Sequence, residues 1–195
     1  AGSYTFTVKD ANGCTQTVTS TVTEPTALTL SGSVTNVDCK GNSTGSVTLT
    51  AGGGTSPYTY KNGTGSYQTS ATFSTLAAGS YTFTVQDANG CTQTVTSTVT
   101  EPTALTLSGS VTNVDCKGNS TGSVTLTAGG GTSPYTYKNG TGSYQTSATF
   151  STLAAGSYTF TVKDANGCTQ TVTSTVTEPT ALTLSGSVTN VDCKG

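Results

Sequence analysis

Six cysteines and no histidine set the limits of the chemistry open to this chain. The cysteines occur in two settings. Cys14, Cys91 and Cys168 end the string "DANGC", and Cys39, Cys116 and Cys193 sit in "VDCKG". Spacing of this kind, without histidine, suits disulfides better than a metal centre. A zinc site would need four soft ligands close together. The other group with ligand chemistry is oxygen-based: Asp87 and Asn89 in "DANG", with Asp115 and Glu101 near in sequence. Such oxygens could hold calcium, but Asx-Gly is also the ordinary composition of a tight hairpin turn. The expectation is therefore no metal, with Asp87, Asn89 and Asp115 as the calcium alternative.

Catalysis is excluded on residue types. Without histidine the common acid–base relay cannot be built. Oxidised thiols are not nucleophiles, and no carboxylate pair of the glycosidase kind is evident. Lys–Asn crosslinks cannot use position 9, because the next copy of that position is Gln86. The expectation is a protein that is not an enzyme and carries no cofactor.

The elements that must position these cysteines are written in a repeat. Ala1, Ala78 and Ala155 are equivalent, giving a period of 77 residues, and "GSYTFTV(K/Q)DANGCTQTVTSTVTEPTALTL" begins at Gly2, Gly79 and Gly156. A period this long is a small domain rather than a solenoid turn. One period (1–77) holds 19 Thr and 10 Ser, and the apolar residues alternate with them. In "SYTFTVKD", Tyr4, Phe6 and Val8 face one way and Thr5 and Thr7 the other. "ALTLSGSV", "SVTLTA", "PYTY" and "CTQTVTSTV" continue the period of two, which is the signature of half-buried strands. In "ATFSTL" the alternation slips between Phe73 and Leu76. Glycine- and asparagine-rich turns separate the strands. About seven strands per period fit an immunoglobulin-like sandwich. Tyr81, Phe83, Val85, Val95, Val99, Leu105, Leu107, Val124, Leu126 and Phe150 are expected to face inward.

"TEPTA" interrupts the alternation, and proline cannot donate to a central ladder. The boundary is placed there. Residues 1–25 are then the closing strands of one module, 26–102 and 103–179 are complete modules, and 180–195 open another, as in a window on a longer array. Charged residues make up 8% of the chain and the net charge is −2, so no basic surface exists for nucleic acid. No apolar run reaches the length of a membrane span.

"GGGTSPYTY", "LAAGSYTFTVQDANGCT" and the upstream "TNVDCKGNSTGSVTLT" together resemble the SprB-type repeat of giant surface adhesins in gliding Bacteroidetes. Many members carry Trp in the strand that reads "YTYKNG" here; this chain has Lys61 at that place, leaving Tyr58 and Tyr60 as the core aromatics. The resemblance implies an immunoglobulin-like fold, export by the type IX route, and a place in cell-surface filaments or adhesins serving gliding, attachment or prey capture. Two roles follow. The module is a structural unit of a long extracellular filament, whose partners are further copies in the same chain or parallel identical chains. Alternatively, each module binds glycans or neighbouring cells directly.

Connectivity of the cysteines stays open at this level. Cys39–Cys91 and Cys116–Cys168 keep each bond inside one module and are preferred. Cys14–Cys39, Cys91–Cys116 and Cys168–Cys193 use all six, but require "TEPTA" to be a hairpin turn. The preferred set meets an objection: the two loops of a sandwich module lie at opposite ends, while bonded cysteines need Cα atoms within about 7 Å.

Overall fold

The computed structural model describes residues 1–192. Every regular element in this range is a strand, and all pairings are antiparallel. The chain divides into two units, Ala1–Val37 with Gly41–Glu101, and Asp38–Lys40 with Pro102–Gly195.

The first unit holds β1 (Gly2–Lys9), β2 (Thr15–Val22), β3 (Thr29–Thr35), β4 (Gly45–Gly52), β5 (Thr59–Asn62), β6 (Thr72–Leu76), β7 (Gly79–Gln86) and β8 (Thr92–Val99). Strands β3–β4–β6 form one sheet and β5–β7–β8 another, while β1 and β2 pair only with each other. That is six strands in this module rather than the seven expected, with an isolated bridge between Tyr60 and Gln68 outside the strand pairings. The second unit repeats the plan with β9 (Thr106–Thr112), β10 (Gly122–Gly129), β11 (Thr136–Asn139), β12 (Thr149–Leu153), β13 (Gly156–Lys163) and β14 (Thr169–Val176), in sheets β12–β10–β9 and β11–β13–β14. Two small antiparallel sheets packed over one core make each module an immunoglobulin-like sandwich.

The core follows the alternation. Val37, Val47, Leu49, Tyr60, Leu76, Phe83, Val85 and Val99 are buried together, and Phe83 has no exposed surface. Val124 and Leu126 occupy the same places in the second unit. Tyr81, Val95, Leu105, Leu107 and Phe150 are partly buried and pack against these cores, so all ten residues expected inward are found there. The rings of Phe73 and Phe83 meet at 4.9 Å between centroids across the two sheets, a geometry favourable to aromatic pairs.

Two departures from the regular pattern have structural causes. Between Phe73 and Leu76 the pairing with β4 shifts, Val47 lying opposite Phe73 and Gly45 opposite Leu76, so the broken alternation is a β-bulge. Thr75 in the bulge has φ 57°, a left-handed conformation that a β-branched residue rarely adopts. Gly32, in the middle of β3, marks a close approach: a Cβ there would stand 2.8 Å from the Ser97 hydroxyl on β8.

The far end of β8 is tied to the segment after β3. The Val37 N–H donates to the Thr100 carbonyl at 2.9 Å, and the Thr100 N–H donates to the Asn36 side chain at 2.9 Å. These two bonds fix where "VDCKG" begins relative to its own module.

Candidate functional site

The turn after β13 carries the chain's best-defined polar cluster. Buried Asp164 accepts three backbone N–H bonds, from Thr132 at 2.9 Å, Asn166 at 3.0 Å and Cys168 at 2.8 Å. The Asp164 N–H returns to the Cys168 carbonyl at 3.0 Å, closing the hairpin that the Asx-Gly composition predicts. Closure of this kind, across the five residues Asp164 to Cys168, fixes the direction in which Cys168 leaves the turn.

Cys168 is bonded to Cys39, with 5.7 Å between the Cα atoms. The residues around the bond belong to the second unit, which includes Asp38–Lys40. The Asn166 side-chain amide donates to the Thr132 hydroxyl at 3.1 Å and to the Asp38 carbonyl at 2.9 Å. The Cys168 sulfur lies 3.4 Å from that same carbonyl. On the other side, the Asp38 carboxylate accepts the Cys39 N–H at 2.7 Å. The bond is thus flanked by a turn held by one aspartate and a short segment held by another.

This pairing replaces both sets expected from the sequence. Cys39 joins neither Cys91 nor Cys14, and Cys168 joins neither Cys116 nor Cys193. Cys14, Cys91 and Cys116 are free and exposed, and Cys193 lies outside the described residues. The within-module pair fails for a geometric reason. Cys91 precedes β8, while Val37 is hydrogen-bonded to Thr100 beyond its other end. Eight strand residues at about 3.3 Å each separate the two loops by roughly 26 Å, several times the reach of a disulfide. The same holds for Cys116 and Cys168, where β14 intervenes and Val114 bonds Thr177.

The same turn recurs in the first unit without the bond. Asp87 accepts N–H groups from Thr55 at 2.9 Å, Asn89 at 3.0 Å and Cys91 at 2.8 Å, and the Asn89 amide donates to the Thr55 hydroxyl at 3.0 Å. Burial works to raise the Asp87 pKa, but the N–H groups of Thr55, Cys91 and Asn89 outweigh it and hold the carboxyl below its usual range. In the β1–β2 hairpin, Asp10 keeps the bonds from Asn12 at 2.9 Å and Cys14 at 2.8 Å.

The oxygens considered for calcium are engaged in closing these loops. Asp115 accepts the Thr121 hydroxyl at 2.7 Å, the Asn119 amide at 3.2 Å and the Cys116 N–H at 2.7 Å. The Thr121 and Asn119 side chains lead in lowering its pKa. Asp87 and Asn89 fall in one unit and Asp115 in the other. Among the described residues no cluster of three or more His, Cys, Asp and Glu side chains occurs.

A feature that pattern reading missed is the glutamate of "TEPT". Glu178 accepts the Lys117 ammonium at 2.7 Å and the Gly118 N–H at 2.8 Å, and Lys117 first, then that N–H, lowers its pKa. Glu101 accepts the Gly41 N–H at 2.7 Å in the first unit. A glutamate recurring one period apart with "CKG" was the available signal. Lys163, at the repeat position of Lys9, is half-buried, and its ammonium lies 4.3 Å from the Tyr144 ring centroid.

The family profile for the SprB repeat matches residues 31–67 and 108–144, each running from β3 or β9 past β5 or β11. No curated protein matches the chain. Two solved structures are similar in part. The C-terminal 282-residue fragment of intimin, solved with the intimin-binding domain of the translocated intimin receptor, is 16% identical with a TM-score of 0.41, over 77% of this chain and 64% of that one. Domains 1–6 of the surface layer protein SbsC are 18% identical with a TM-score of 0.35, over 91% of this chain and 35% of that one. The chain therefore spans less than two thirds of either.

Proposed function

We propose that the modules of this chain, which carries two SprB repeats, are cell-surface structural units of a long extracellular filament or giant surface adhesin. They perform no catalysis and need no cofactor. The observation that carries this reading is the sameness of the modules. Each buries an equivalent core, Phe83 and Val85 in one and Phe160 and Val162 in the other, and presents threonine rows outward. Repetition of one fold with one short connection gives every joint the same geometry, and a repeated joint whose rotation does not close builds an open filament.

The outward faces support a spacer role. Thr82 and Thr96, and Thr159 and Thr173, pair their hydroxyls across β7–β8 and β13–β14 at 3.2 and 3.3 Å. Such ladders stabilise the strands while keeping these two faces hydrated. The partners are then further copies of the module, in the same chain or in parallel chains. Export through the type IX route and service in gliding, attachment or predation belong to this proposal through the family resemblance.

The test is immunolabelling of intact cells with an antibody raised against residues 26–179. Label should decorate filaments that extend from the cell surface and should vanish after protease shaving. Label that appears only after permeabilisation would overturn the reading.

A further inference from the structure

The Cys39–Cys168 bond joins the "VDCKG" cysteine of one 77-residue copy to the "DANGC" cysteine of the next. We propose that this is the general rule of the repeat, and that Cys91 and Cys116 are open halves of the same bond. In a chain with a further copy on either side, Cys116 takes the "DANGC" cysteine of the following copy. Cys91 takes the "VDCKG" cysteine of the preceding one.

Three observations carry this. First, the free cysteines are those the rule leaves without a partner. Shifting the Cys39–Cys168 pair by one period in either direction places Cys116 or Cys91 opposite a residue of another copy, and both are free and exposed. Second, the socket around Cys91 is already formed. Asp87 holds Thr55, Asn89 and Cys91 at the distances that Asp164 uses for Thr132, Asn166 and Cys168. The difference lies in Asn166, whose amide donates to both Thr132 and the Asp38 carbonyl, while that of Asn89 donates to Thr55. The bond that Asn166 makes in addition goes to the segment carrying the partner cysteine. Third, the inserting segment is preformed too. Asp115 caps the Cys116 N–H at 2.7 Å, as Asp38 caps that of Cys39. A preshaped segment and a preshaped socket lose little ordering entropy on meeting.

Closure is thiol–disulfide exchange. The thiolate of one cysteine attacks an oxidant disulfide, displacing one of its sulfurs as a thiol. The second cysteine then attacks the mixed disulfide and releases the other. Two protein thiols are oxidised to one disulfide, the oxidant disulfide is reduced to two thiols, and these receive the two protons. Only the presence of further copies is taken from the filament reading.

The copies are too alike for peptide mapping to tell them apart, so the test uses chains holding two cysteines, with serine at the rest. Each is incubated with oxidised glutathione and read by intact mass and non-reducing electrophoresis. Cys39 with Cys168 in the 195-residue chain should close within the molecule. So should Cys116 with the "DANGC" cysteine of a chain lengthened by one copy. Cys39 with Cys91, and Cys116 with Cys168, should remain thiols or glutathione mixed disulfides, closing at least tenfold more slowly. The proposal is overturned if Cys116 closes onto Cys168, stays open in the lengthened chain, or crosslinks separate molecules. Should a serine variant unfold by circular dichroism, the unsubstituted chains decide the matter. The lengthened chain has two more cysteines and should show no additional maleimide-reactive thiol; any gain refutes the rule.

Discussion

Strands β1–β2 and β7–β8 share a sequence but for Lys9 and Gln86, and they pair in the same register, Phe6 opposite Val18 as Phe83 is opposite Val95. Their surroundings differ completely. Phe6 is 59% exposed and Val8 67%, whereas Phe83 and Val85 show no surface at all. The hairpin is therefore a local product of alternation and an Asx-Gly turn, which form without a covering sheet. Burial is a separate matter, provided by β3–β4–β6 over β7–β8. The apolar face of β1–β2 has no such cover among the described residues. The lesson is that the strands of this module are encoded in short range, and its stability in long range.

The largest expected effect tests that division. Phe83→Ala should lower the stability of the first unit by about 3–5 kcal/mol through a cavity in the core. Phe6→Ala should change it by less than about 0.5 kcal/mol, as for an exposed position. Chemical denaturation of both variants reads the contrast; equal losses would break it.

The turn cysteines sharpen the comparison next. Cys39→Ser, which opens the Cys39–Cys168 bond, should lower the stability of the second unit by about 2–4 kcal/mol, the usual range for a native disulfide. Cys91→Ser, at the same turn one copy earlier, should stay within about 0.5 kcal/mol. Thermal melts under non-reducing conditions distinguish the two.

A smaller effect separates Asp87 from Asp10. The folded state depresses the Asp87 pKa, so its contribution is complete above the ordinary carboxylate range near pH 4 and is lost as the pH falls through the folded value. Melts at pH 7 should show Asp87→Asn less stable than the parent, with the gap closing toward pH 3. Asp10→Asn, in the exposed hairpin, should melt with the parent at pH 7. A gap for Asp87→Asn that widens in acid would contradict the assignment.

The smallest effect concerns the bulge. Thr75→Gly should raise stability by about 0.5–1 kcal/mol, because glycine accepts a positive φ that costs threonine. Thr82→Gly, in the extended strand β7 of the same module, should lower it by a similar amount. Paired denaturation curves resolve changes of this size, and a loss of stability for Thr75→Gly would contradict the assignment.

How far the molecule could be read in advance follows the same division. The inward residues were legible because a period of two states which side chain points where, and the slip before Leu76 announced the bulge. The turn at Asp87 was legible as a turn, but not its bond to Thr55, since a contact across 32 positions leaves no local mark. The Glu178–Gly118 bond was hidden for the same reason. Cysteine connectivity was the least legible. Near-identical copies make every equivalent cysteine the same to a reader of composition, and the actual pair passes over both nearer candidates to one 129 positions away. The distance along β8 excludes the nearer within-module partner, Cys91.

That bond also decides how the protein yields when its ends are pulled apart. Fully drawn out, the stretch from Cys39 to Cys168, a separation of 129 positions, would span about 440 Å. While the bond is closed, the same stretch can contribute no more than the 5.7 Å between the two Cα atoms. Unfolding of everything in between would add nothing to the reach of the chain, so that stretch is inextensible when oxidised and long when reduced. Its slack is stored behind two sulfur atoms.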